Sequence, residues 1–330
     1  MKAMHCTSYG PPEVLELREV DKPTPRAGDV VLRVHAATVT LGDCEVRAFK
    51  LADWIWLPAR LAFGILKPRQ PVLGMEIAGV IDSVGADVKR FKPGDRVFGS
   101  TGFSMGAYAE FARLPEAASL TAIPEGMSYA EAASIPTGGL NGLHFVRKCQ
   151  LQPGETILIN GAGGAIGMFA VQLAKAAGAQ VVAVDKARKH AMLRSLGADH
   201  VIDYQAQDYW RGPGRYDAII DIVGLGPFSQ SVAVLNHGGR YVLGNPKTAQ
   251  MLAAMMENRR KRIRAMFELA GDEVEDLDFL KHQIADGALR VVIDRSFSLE
   301  ALPEAHRYVE DGDKTGACII DVSGEAYARE

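Results

Sequence analysis

Cysteine is scarce and scattered in this chain: Cys6, Cys44, Cys149 and Cys318 lie far apart and form no CxxC pair. That spacing argues against a disulfide framework and lacks the dense cysteine lobe of a structural zinc site. No apolar run approaches the roughly 20 residues that span a bilayer; the longest, around residues 156–159, are strand-sized. No charged-then-apolar leader precedes Met1-Lys2-Ala3-Met4-His5, so a cytoplasmic protein with no membrane partner is expected. Neither sign of charge dominates, with 37 Lys plus Arg against 40 Asp plus Glu and a net charge of −3. Such a balance offers no overall basic field for nucleic acid or anionic lipid. Internal repeats and low-complexity segments are also missing.

What is present is an ordinary globular composition, 48% hydrophobic and 23% charged over 330 residues, enough for about two domains. The first 125 residues read as β-rich, with runs at 13–20, 29–39, 75–84 and 96–99 set between turn signals such as Lys92-Pro-Gly-Asp95. Close strand spacing of this kind suggests a small barrel or sandwich. The pattern breaks at 48–73, which carries Trp54, Trp56 and Phe63 and reads as a lid or a packed excursion. Trp54 and Trp56 form either an apolar wall for an aromatic substrate or plain loop packing.

From about residue 126 the period changes. Ser128 and Glu131 make a capping box that opens a helix. Strands at 155–160, 180–185, 200–203, 218–222 and 239–243 then alternate with helical stretches, which predicts a parallel, doubly wound sheet. After about 295 the sequence returns to β-like patches, the last at 314–321. The expected organisation is therefore 1–125, 126–294 and 295–330, with a nucleotide-type domain inside a β domain.

The most informative stretch is Asn160-Gly161-Ala-Gly163-Gly164-Ala165-Ile166-Gly167, placed between a strand and a helix. Glycine there serves a tight turn, close approach to a diphosphate and close helix packing. The new helix turns its N-terminal amides and dipole towards the anion. Strand 181–184 ends at Asp185, positioned for the adenosine ribose hydroxyls, which favours NADH slightly; Lys186, Arg188 and Lys189 follow and suit a 2′-phosphate instead. Val223-Gly224 and Gly244-Asn245 fall at strand ends, where contacts to the nicotinamide side are expected. The run 258–264 holds five bases and reads as a solvated helix face rather than a nucleic-acid site.

With these motifs the chain resembles the medium-chain dehydrogenase/reductase superfamily, closest to its zinc-free, quinone-oxidoreductase-like branch. The resemblance runs through Tyr9-Gly10, Gly74-Met-Glu-Ile-Ala-Gly-Val80, Gly94-Asp-Arg-Val97, Gly106-Ala-Tyr-Ala-Glu110, Leu196-Gly-Ala-Asp-His-Val-Ile-Asp203 and Lys314-Thr-Gly316. It implies a Rossmann domain inserted in a GroES-like β-barrel domain, an NAD(P)H cofactor and substrate in the cleft between the domains, and a homodimer. The positions of the zinc-dependent members' catalytic Cys and His fall at Thr40 and Met75, a hydroxyl and a thioether, so no metal is expected.

On the substrate side the resemblance points to the 40–47 loop. Thr40 stands where the family commonly has Asn, Leu41 where it has Pro, and Glu45 where a Tyr is often found; Asp43 is kept. Thr40, Asp43 and Arg47 are the catalytic candidates, Asp43 being equally a helix N-cap and Arg47 equally a partner for a surface acid. Cys44 has no base spaced near it and reads as a small buried residue. Asn141, in Asn141-Gly142 where the family usually has Thr-Ala, is a candidate for the nicotinamide pocket, and His144 for a packed helix residue or a proton relay. The expected function is hydride reduction of a quinone, enone or related small carbonyl compound, because such acceptors need no metal electrophile. A nucleotide-binding relative without turnover and a zinc-type alcohol dehydrogenase are the alternatives.

Overall fold

Short β-branched runs between turn residues open the chain, and they become strands. The computed structural model describes residues 1–330 except Leu225, Lys261, Leu269 and Glu330. β1 (Lys2–Cys6) and β2 (Leu15–Glu19) pair as an antiparallel ribbon. β3 (Asp29–Val39) is buried at nine of its eleven positions, the exposed Arg33 breaking its apolar run. After it come α1 (Leu41–Ala48), α2 (Asp53–Phe63), β4 (Glu76–Val84), β5 (Arg96–Ser100), β6 (Phe111–Pro115), β7 (Leu120–Ala122) and the short α3 (Tyr129–Ala133).

Next follow α4 (Pro136–Cys149), β8 (Thr156–Asn160), α5 (Ala165–Ala176), β9 (Gln180–Val184), α6 (His190–Ser195), β10 (His200–Ile202) and β11 (Tyr216–Asp221). α7 (Phe228–Ala233), β12 (Leu235–Leu243), α8 (Thr248–Arg260) and β13 (Arg264–Met266) complete this run. Its strands form one parallel sheet in the order β10-β9-β8-β11-β12-β13. That order reverses direction between β8 and β11, the switch point where open α/β sheets bind ligands.

The tail contributes α9 (Val274–Ala285), β14 (Ile293–Ser298), α10 (Leu302–Glu310) and β15 (Ala317–Asp321). β15 pairs antiparallel with β3, whose other partners are β4 and β6. The return of the tail to the first β domain is therefore a pairing with its longest strand.

Two compact units result. One comprises Met1–Leu51, Ile55–Thr137 and Asp272–Glu330; the other comprises Ala52–Trp54 and Gly138–Gly271. These divisions differ from the 125/126 and 294/295 expected from the change of period. The alanine-rich α3 packs on β3, β4 and β5, and α9 packs on β7, where Asp278 accepts from Thr121 Oγ1 at 2.5 Å. Both helices thus belong to the first unit, because a change of hydrophobic period marks a new element and not a new core.

Residues 48–73 hold α2, a helix containing Pro58. The basic run 258–264 is not one helix face: it ends α8, buries Ile263 and begins β13 at Arg264, while its Lys261 lies outside the described residues.

Candidate active site

The glycine loop follows from its backbone. Gly161 has φ +84° and leaves β8 in a conformation open to glycine; a Cβ there would meet Val223 Cγ2 at 2.5 Å. At Gly167 a Cβ would strike Gly161 O at 2.4 Å, so this position lets α5 sit against the loop. The loop amides of Gly161 and Ala162 donate to Val184 O at 3.1 and 3.2 Å. α5 starts after Gly164 with no side-chain cap, which leaves the Ala165, Ile166 and Gly167 amides and the positive end of the dipole for an anion.

Asp185 closes the other side of this loop. It is only 6% exposed; its Oδ2 accepts from Gly163 N–H at 2.8 Å and its Oδ1 from Lys186 N–H at 2.8 Å. Lys189 Nζ lies 3.3 Å from Asp185 Oδ1 and donates to Gly163 O at 3.3 Å. A Cβ at Gly163 would meet Lys189 Cδ at 2.4 Å. Lys189 is thus buried against the carboxylate, whereas Arg188 is exposed and Lys186 half-buried. A carboxylate accepts about four hydrogen bonds, so Asp185 keeps capacity for a ribose hydroxyl.

The strand ends beside the loop are tied by Asp221, which sequence reasoning did not single out. Its fully buried carboxylate accepts from Asn160 Nδ2 at 2.9 Å, Tyr241 Oη at 2.9 Å and Gly224 N–H at 3.0 Å. Gly224 has φ +66°, and Gly244 N–H donates to Asp221 O at 2.8 Å. Val223, Gly224, Gly244 and the exposed Asn245 therefore gather at the C-terminal edge of β11 and β12. On α4, Asn141 is half-buried, and a Cβ at Gly142 would meet Phe169 Cβ at 3.0 Å. The glycine in place of the family's alanine brings α4 close to α5. His144, also half-buried on α4, packs its ring edge-on to Phe145.

In the first unit the 40–47 loop is buried chemistry. Thr40 caps α1: its Oγ1 accepts from Asp43 N–H at 3.2 Å and donates to Asp43 Oδ2 at 2.6 Å. Asp43 Oδ2 also accepts from Thr40 N–H at 2.8 Å. The N-cap is therefore Thr40 and not Asp43, and the single Thr40 proton is spent inside the capping box. Burial pushes the Asp43 carboxyl up to about 6, against the hydrogen bonds from Thr40, Met75 and Tyr108 that favour its charged form.

A second buried acid, Glu76, accompanies it. Glu76 accepts from Thr38 Oγ1 and, at 2.6 Å, from Thr137 N–H. Burial raises its carboxyl to about 7, with the nearby Asp43 charge adding to the shift. The signal in the sequence was Glu76 directly after Met75 in a run otherwise headed for the core.

Arg47 is corrected. It is 1% exposed, its Nε donates to Gly10 O at 3.1 Å and its Nη2 pairs with Glu310 at 2.6 Å. It pins the 9–10 turn and α10 to α1; its partner is the exposed acid Glu310, while the guanidinium itself is buried and not open to a substrate. Cys44 is corrected in part: it is buried, and Sγ lies 3.4 Å from Nδ1 of His306 on α10, 262 residues away in sequence. Burial pushes the thiol up and holds the imidazole down at about 3, so both are neutral and form no nucleophilic pair.

The donors beside Thr40 suit a zinc ion poorly. Met75 Cε would lie 3.0 Å from a Cβ at Gly42, which brings the thioether beside the Thr40 loop. A hydroxyl and a thioether are poor ligands for zinc, and no three His, Cys, Asp or Glu side chains converge among the described residues. The residues do not fit that metal.

Comparison with known proteins adds a second line. Residues 26–125 match the alcohol dehydrogenase GroES-like domain, and residues 196–320 match a zinc-binding dehydrogenase family model. A chloroplastic quinone oxidoreductase of Triphysaria versicolor is 30% identical over 97% of this chain and 98% of its own. A 2-methylene-furan-3-one reductase of Solanum lycopersicum is 30% identical over 97% of this chain and 79% of its own. The solved quinone oxidoreductase of Coxiella burnetii superposes with a TM-score of 0.87 at 29% identity, covering 98% and 99% of the two chains.

Proposed function

Because the chain belongs to the medium-chain dehydrogenase/reductase superfamily, in its quinone-oxidoreductase-like branch, we propose that it is a zinc-independent, NAD(P)H-dependent reductase of quinones, enones or related carbonyl compounds. The observation that carries this reading is the 161–167 loop, with Asp185 hydrogen-bonded to Gly163 at the end of β9. When bound, a reduced pyridine dinucleotide supplies the hydride. The uncapped amides at the start of α5 meet the diphosphate, and Asp185 receives a ribose hydroxyl. NADH is favoured, because a buried carboxylate there repels a 2′-phosphate; Lys189 is already paired with it, and Lys186 and Arg188 remain at the rim. Asn141, Val223, Gly224, Gly244 and Asn245 take the nicotinamide side.

The substrate class follows from what the 40–47 loop withholds. With Thr40 engaged, Arg47 paired and no zinc ligand set among the described residues, the loop presents no strong electrophile, which suits an acceptor whose own conjugation carries the developing charge. The quinone and enone names of the relatives support the same class. Asp43, whose carboxyl burial raises to about 6, is the candidate to hold the proton that accompanies the hydride, and at 1% exposure it would act through the hydrogen bonds around it. NADH consumption with a panel of quinones and enones, alongside metal analysis, tests the reading. Turnover by metal-free protein, with a pH profile altered in Asp43→Asn, is expected. One zinc per chain with activity lost on chelation overturns it. Light scattering tests the homodimer that the family resemblance implies.

A further inference from the structure

α2 inverts the usual arrangement of a surface helix. Its inner face is apolar, with Ala59 buried and Phe63 packed against the first unit's core. Its outer face is apolar as well: Trp56, Leu57 and Leu61 are exposed, followed in the next loop by Ile65 and by Leu66 at 86% exposure. An outward helix face is ordinarily polar. Phe103, 84% exposed on a separate turn, joins this group through its ring contact with Phe63. Arg60 stiffens the display, with its guanidinium 3.7 Å from the Phe49 ring centroid and a hydrogen bond to Ile65 O at 2.7 Å.

The charge along this face is mostly basic, with Asp53 at the start of α2 as the acid on the helix. From residue 54 to 75 the chain carries Arg60, Lys67 and Arg69 and no acid. Lys67 and Arg69 are exposed beside Leu66. Asp272, which a Cβ at Gly102 would approach to 3.6 Å, accepts from Ser100 Oγ at 3.2 Å. Side chains standing almost wholly in solvent require a matched pocket from a protein partner, whereas fluid acyl chains close around them without one. Tryptophan and flanking cations suit the lipid headgroup level.

We propose that α2, the loop after it and Phe103 form a contact surface for an anionic lipid bilayer, on which the protein rests without spanning. The expectation of no membrane partner weighed the charge of the whole chain, and the relevant charge is local. Sedimentation with phosphatidylcholine vesicles, with and without phosphatidylglycerol, tests this on the full chain. The wild type is expected to sediment with the anionic vesicles and to be released in part by salt. Leu66→Asp/Phe103→Asp is expected to bind at least about tenfold more weakly with an unchanged melting temperature, and Leu17→Asp, on β2, to bind as the wild type does.

If the double variant fails to fold, Lys67→Glu/Arg69→Glu replaces it and is expected to lose the preference for anionic vesicles. No sedimentation of the wild type beyond the lipid-free control overturns the proposal, as does wild-type binding by either charged variant. A dimer that Leu66→Asp/Phe103→Asp splits, from a wild type indifferent to vesicles, assigns the face to a second copy and overturns it too.

Discussion

Arg47→Met separates a structural role for this residue from one in substrate binding. The change keeps most of the stem volume and removes the guanidinium, and with it the 2.6 Å pair to Glu310 and the 3.1 Å bond to Gly10 O. Breaking a buried ion pair costs about 3–5 kcal/mol when the remaining charge is stranded. The Glu310 side chain is 30% exposed and reaches water, and Arg47 also carries a buried Nη1 with no partner among the described residues, which the variant no longer has to desolvate. The loss is therefore set at the low end, about 2–3 kcal/mol including the orphaned Gly10 carbonyl. For a unit of this size each kcal/mol moves the midpoint by roughly 2–4 °C, so the melting temperature falls by about 4–12 °C. Calorimetry reads that shift, and kcat/KM is measured well below both transitions. A change under about 2 °C with kcat/KM reduced tenfold or more refutes the structural assignment and returns Arg47 to the substrate.

The same geometry fixes three further outcomes. Asp185→Ser removes the carboxylate that holds Gly163 and Lys189; it is expected to raise the KM for NADH about tenfold and move preference towards NADPH, and steady-state kinetics with both cofactors check it. Gly167→Ala drives a Cβ into Gly161 O and Ala162 Cα, at 2.4 and 2.5 Å. Backbone cannot yield there as a side chain does, so loss of dinucleotide binding by fluorescence titration is expected, with a destabilisation of about 2 kcal/mol or more. Glu76 titrates near 7 in the folded chain against 4.5 unfolded. The folded state therefore holds the extra proton, and this group's contribution to stability is lost as pH rises from about 4.5 to 7. Melts of Glu76→Gln at pH 5 and 8 are expected to show a smaller fall in melting temperature than wild type; an equal or larger fall contradicts the burial argument. His306 acts oppositely, its imidazole held near 3, and favours the folded state as pH rises towards 6.5 in both proteins.

Much of the fold was legible because the signals are local. β3 was bounded at 29–39 by its turn residues, and the Ser128–Glu131 capping box formed where its spacing placed it. The strand and helix flanking the glycine loop were legible because Gly161, Gly163 and Gly167 each answer a local steric need. α2 was not legible as a helix: Pro58 interrupts it and both its faces are apolar, so no 3.6-residue alternation marks it. The first unit's boundaries were missed at α3 and α9, whose composition does not state which sheet they cover.

Sequence alone determined the strand–glycine–helix junction at 156–176 and the alternation of strands and helices that follows it, since turns, caps and periodicity act over a few residues. Only tertiary structure decided the fate of the ionisable groups. It gave Arg47 to Glu310, set His306 against Cys44 and buried Glu76 against Thr38, all by contacts between elements dozens to hundreds of residues apart. Whether such a group meets substrate, partner or core depends on desolvation and neighbouring charge, and those are fixed by where the chain returns in space.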